Sequence, residues 1–129
     1  FEVKGEEPLT ENYSVLSPEV TELPGQKVGE FNQELFDHLL TFDRVYVFGQ
    51  AKSHCVLSTL LDLQKHIEAT DRSKMGRIHI LEDAMSSVPA PPLEPLPPGL
   101  DFPRVANEAM RKFREAGMKV VKTTDPLAP

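Results

Sequence analysis

The chain has one cysteine, Cys55, so it forms no internal disulfide and holds no second thiol to resolve a mixed one. That argues against a dithiol redox protein. No stretch approaches the roughly 18–20 apolar residues needed to cross a bilayer. Basic residues are also in short supply, with 14 Lys and Arg against 20 Asp and Glu and a formal charge of -6. An acidic balance without a basic run argues against a grip on nucleic acid or on an anionic membrane. The start has neither a basic n-region nor an apolar h-region, so it is not a secretory signal. With no signal and a free thiol, the expected location is the cytoplasm. The first residue is Phe1 rather than methionine, and we expect it to be an internal point of a longer sequence. What is present suits one domain and leaves no room for two: 129 residues, 40% hydrophobic and 26% charged, support a folded core.

Periodicity then divides the chain. Residues 1–4 alternate loosely and read as the end of a strand, and residues 6–29 read as loop with a short turn of helix. Phe31, Leu35, Phe36, Leu39 and Leu40 recur at helical spacing, which predicts a helix over 30–41. Val45-Tyr46-Val47-Phe48 is a strand of the kind covered on both faces. Val56, Leu57, Leu60, Leu61, Leu63 and Ile67 predict a second helix, with Ser53 as its N-cap. A strand over 78–81 ends at Glu82-Asp83. Of the 12 prolines, six fall within residues 89–98, which predicts an extended polyproline surface loop over 88–100. Asp101 caps a third helix that Gly117 closes, and residues 118–121 form a last strand. The alternation of strands and helices indicates an α/β class with a mostly parallel sheet.

In open parallel sheets, ligands bind at the carboxyl ends of strands. The most informative such end is Gly49 to Cys55, where the only cysteine stands near the start of a helix. Unpaired N–H groups and the positive end of the helix dipole favour thiolate there, and the same N–H groups can hold an oxyanion. The competing reading is a small, buried, inert cysteine. From the residues alone the two stand nearly level.

Residues 45–62, VYVFGQAKSHCVLSTLLD, resemble the active-site signature of the isochorismatase-like cysteine hydrolases, a superfamily that includes nicotinamidases. Gly49, Ala51, Cys55 and Val56 match its Gly-x-Ala-x-x-x-Cys-Val in register. Val3-Lys4-Gly5 with Tyr13-Ser14, Glu82-Asp83-Ala84 with Ser86-Ser87, and Val120-Val121 before Thr123-Thr124 are similar to other stretches of the family in the same order. The resemblance implies that Cys55 is the nucleophile of an amide hydrolysis and Lys4 the catalytic lysine. It implies a cis peptide between Gln50 and Ala51, and an oxyanion hole made by the N–H groups of Ala51 and Cys55. His54 would serve packing or a pocket wall.

The family's third catalytic residue, an Asp, lies well before its lysine, and only three residues precede Lys4 here. The resemblance thus makes residues 1–129 the C-terminal portion of a three-layer α/β/α Rossmann-like domain. The N-terminal half would come from elsewhere, as a longer sequence or a second chain. No metal site is expected in this chain: His38, His54, His66 and His79 lack ligand spacing, with His38 and His66 solvated and His79 packed. A divalent metal such as zinc would require ligands from the missing half. The expected partners are that half, a small-molecule substrate and further subunits of a homo- or hetero-oligomer. The alternative is a non-catalytic subunit of the same fold acting as a scaffold or interaction module. The 88–100 loop departs from the compact loop of small family members.

Overall fold

A computed structural model describes residues 1–126. Two two-residue strands, β1 (Glu22–Leu23) and β2 (Gln26–Lys27), pair antiparallel around Gly25, whose φ of 76° suits the tight turn. They replace the helical turn expected within 6–29. Residues 1–4 join no ladder, so the strand expected there is absent from the described structure and the segment runs as an extended strap.

Helix α1 (Gln33–Leu39) is shorter than its apolar periodicity, because the Asn32 side chain caps it, accepting from the Leu35 N–H at 3.0 Å. Strand β3 (Val45–Gln50) leads into α2 (Cys55–Thr70), and a 3₁₀ turn over Arg72–Arg77 delivers the chain to β4 (Ile78–Ser86). Strand β4 continues past Leu81, so Glu82 and Asp83 lie within it rather than after it. Helix α3 (Phe102–Ala116) begins at Asp101, whose carboxylate accepts from Arg104 N–H, and ends at Gly117 with φ 113°. Strand β5 (Lys119–Val121) follows.

The order β3-β4-β5, parallel throughout, establishes an α/β fold around a three-stranded parallel sheet. Alternation along the strands sends Val45, Val47, Ile78, Ile80 and Val120 to one face. There they pack with Phe36 and Leu40 of α1 and its end, Leu60, Leu63 and Ile67 of α2, and Met110 and Phe113 of α3. This stacking gives two layers among the described residues, helices on sheet. Neighbours of opposite parity along the strands, Tyr46, Phe48, His79, Lys119 and Val121, belong to the other face, where Phe48 is 60% exposed. Residues 88–97 carry no regular structure. Leu93 N–H donates to the Pro91 carbonyl at 2.8 Å, so the segment turns there instead of running as one polyproline helix.

Candidate functional site

The turn from β3 into α2 is built by its backbone. Gly49, at φ 128°, takes a conformation that a side chain disfavours, and the Gln50–Ala51 peptide is cis. Lys52 N–H donates to Ser86 O at 2.9 Å, tying the turn to the end of β4. The Ala51 carbonyl accepts from His54 N–H at 3.1 Å and Val56 N–H at 3.2 Å. Cys55 between them is the first residue of α2, and its N–H belongs to the opening turn, which has no intrahelical acceptors. Its thiol is half-buried and not in a disulfide.

Side chains then fix the turn from three directions. Lys52 is buried and donates from Nζ to Asn107 Oδ1 of α3 at 2.8 Å. Ser53 does not cap α2 as its position suggested; His54 occupies the cap site without a side-chain cap bond. The Ser53 hydroxyl instead accepts from Val88 N–H at 2.9 Å and lies 2.8 Å from His54 Nδ1, joining the turn to the start of the proline-rich segment. The His54 ring stands edge-on to Phe102 and Tyr13, with centroids 4.9 and 6.2 Å away, which is packing.

The strap supplies Lys4. Its Nζ donates to the Tyr13 carbonyl at 3.1 Å. Further along, Val15 N–H donates to Thr59 Oγ1 at 3.1 Å and Leu16 is buried in the core at 1% exposure. Nearer its start, Asn32 Nδ2 donates to Glu2 Oε1 at 3.0 Å. A cavity of about 420 Å³ opens between this strap, β3 and α2, and both Lys4 and Cys55 line it. Its other walls are mainly apolar or aromatic, among them Val15, Val47, Phe48 and Val56, with Tyr13, Gln50 and Thr59 contributing polar groups. Among the described residues, no Asp or Glu lines it.

Of the residues expected from sequence, the structure brings Lys4, Gln50 and Cys55 to one cavity, with Ala51 in the adjoining turn. Thr59 was missed, although it lies one helical turn beyond Cys55 and therefore on the same face. Asp83 is engaged elsewhere: Oδ1 accepts from Thr123 N–H at 2.8 Å and Oδ2 from Thr123 Oγ1 at 2.7 Å. The Thr123 hydroxyl, then its N–H, hold the Asp83 carboxyl below its ordinary value of 3.8. Among the histidines, His79 packs in β4 against Tyr46, with Nδ1 2.9 Å from the Arg77 carbonyl. His66 is not a solvated side chain; it stacks on Phe31 with centroids 3.7 Å apart and is half-buried. His38 is exposed, edge-on to Phe42. No three His, Cys, Asp or Glu side chains cluster as a metal site among the described residues, and no helix there is long and apolar enough to cross a membrane.

No protein-family model, curated protein or solved structure matches this chain. Chemically, the arrangement offers a thiol at a helix N-terminus and a primary ammonium, both on the wall of one largely apolar cavity. Such a site can bind a small uncharged molecule, attack it with sulfur and steady negative charge as it develops.

Proposed function

We propose that this chain carries the nucleophile and the lysine of a cysteine hydrolase acting on a small-molecule amide, of the isochorismatase-like kind. The observation that carries the reading is that Cys55 and Lys4, far apart in sequence, line the same cavity, which runs along β3 from Val45 to Gln50. The Cys55 sulfur adds to the amide carbonyl carbon, and the oxyanion forms beside the N–H groups of Ala51 and Cys55. The C–N bond then breaks, the amine leaves with a proton, and water cleaves the thioester to return the thiol and a carboxylic acid. An acid–base group must take the thiol proton and pass it to the amine. Since no carboxylate lines the cavity among the described residues, that group is an Asp from another segment or chain. The same segment would complete a three-layer Rossmann-like sheet by pairing with β3, which among the described residues is bonded only to β4. In this reading the working enzyme is an assembled, cytoplasmic one, and a metal would be held by the added segment.

The test is acid quenching of the assembled protein during exposure to a panel of primary amides, nicotinamide included, followed by intact mass measurement. An acyl adduct on Cys55, absent in Cys55→Ala, is expected. Lys4→Met should slow its formation by about a hundredfold or more. An assembly that contains the aspartate yet forms no adduct and hydrolyses no amide would overturn the proposal. The second reading, a non-catalytic subunit of this fold, is favoured by one observation, the missing carboxylate at the cavity. It predicts that no segment supplying an Asp to Cys55 is found in the assembly.

A further inference from the structure

Thr59 stands on the cavity wall beside Cys55 and bonds the strap that carries Lys4, and this inference rests on that Lys4–Cys55 reading. Thr59 follows Cys55 by four residues on α2, so the two side chains share a helix face and both line the cavity. Its Oγ1 accepts the Val15 N–H at 3.1 Å. Two residues earlier, the Tyr13 carbonyl accepts from Lys4 Nζ at 3.1 Å. Two hydrogen bonds and a three-residue stretch of backbone therefore connect the nucleophile's helix to the lysine's ammonium. The strap has no ladder to hold it, and its apolar anchor, Leu16, lies beyond Val15 on the side away from Lys4. The Thr59 bond ties this stretch directly to the nucleophile's helix, beside the buried Ser14 and the contact of the Tyr13 ring with His54.

We propose that Thr59 is a positioning residue: by gripping Val15 it sets where the Tyr13 carbonyl stands, and hence where Lys4 presents its charge relative to Cys55. It touches neither thiol nor ammonium in this role. Valine at the position keeps the shape and loses the acceptor, leaving the Val15 N–H without its partner and the strap free to shift. Serine keeps the acceptor.

The experiment measures the rate at which iodoacetamide alkylates Cys55 at pH 7, followed by intact mass. The S–C bond forms, the C–I bond breaks, iodide leaves and the thiol proton passes to buffer. Thiolate is the reacting species, so an ammonium on the wall of the same cavity accelerates the step. Lys4→Met should slow it about tenfold. Thr59→Val should slow it several-fold, Thr59→Ser should restore it, and Thr59→Val should add nothing in a Lys4→Met background. A loss that is merely structural would be the same in both backgrounds and would not depend on Lys4. Should Thr59→Val fail to fold, Thr59→Ala takes its place in the cycle. If Lys4→Met is slow but Thr59→Val reacts like wild type, or if the two losses multiply, Thr59 does not position Lys4 and the proposed function stands. If Lys4→Met itself reacts at the wild-type rate, the Lys4–Cys55 coupling fails and both readings fall.

Discussion

The register of α2 decides whether Cys55 and Thr59 face the cavity, and two adjacent leucines test it. Leu60 is 0% exposed within the cluster of Phe36, Leu63, Ile80 and Phe113, whereas Leu61 is 51% exposed. Replacing Leu60 by alanine removes buried methyl groups and leaves a cavity that close-packed neighbours fill only in part. The cost is about 3 kcal/mol, within the range for buried leucines. For a chain of 129 residues with an unfolding entropy of about 2.1 cal/mol/K per residue, that lowers the melting temperature by about 11 °C. Leu61→Ala should cost within about 0.5 kcal/mol, or less than about 2 °C. Urea unfolding followed by far-UV circular dichroism, with equal slopes for all three proteins, measures the difference directly. Rotating the helix by one residue would carry Leu61 into the core position of Leu60. Equal losses, or a larger one at Leu61, would refute the packing and with it the placement of Cys55 and Thr59 on the cavity wall.

Two further outcomes follow from local geometry. Asp83 is held below its ordinary value by Thr123, so its stabilising effect is fully present above about pH 3.8 and fades as pH falls through its lowered value. Asp83→Asn should therefore lower the urea midpoint at pH 7, and the gap from wild type should narrow below pH 3.8; a gap that widens on acidification would contradict the assignment. At Gly117, φ is 113° and an added Cβ would meet Met75 at an ordinary 3.5 Å, so Gly117→Ala suffers from the backbone alone and should lose about 1–2 kcal/mol in the same assay.

The helices were legible because their signals are local. Asp101, the spacing of Ala106, Met110 and Phe113, and Gly117 mark the start, the buried stripe and the end of α3 within seventeen residues. Strand β4 was read too short, since Glu82 and Asp83 break the apolar run and fall in an irregularity of the ladder, after which backbone pairing with β3 resumes at Met85. The cap of α2 was misassigned to Ser53 because its hydroxyl is satisfied by Val88, 35 residues away, which no local pattern announces. His66 was read as solvated because its sequence neighbours are Lys65 and Glu68; its actual neighbour is Phe31, brought over by the packing of α1 on α2. At the site, the Gly49-to-Val56 stretch marked the turn, while the place of Lys4 on the cavity that Cys55 lines depends on a strap whose path no periodicity encodes.

That strap shows what holds a site where no regular structure reaches. Between Phe1 and Leu16 there is no helix or strand, and the large side chains Phe1, Val3, Leu9 and Tyr13 are exposed. Hydrophobic burial holds the strap only at its far end, through Val15 and Leu16. What remains is a series of polar contacts: Asn32 to Glu2, Lys4 to Tyr13, Val15 to Thr59. Hydrogen bonds of this kind contribute on the order of 1 kcal/mol each, so losing any one of them shifts the balance between a seated and a displaced strap several-fold rather than unfolding the chain. The Cys55 end is different in kind. Val56, Leu60, Leu63 and Ile67 anchor α2 in the core, and Lys52, Ser53 and the Ala51 carbonyl fix the turn before it. The cavity thus has one rigid wall carrying the thiol and one compliant wall carrying the ammonium.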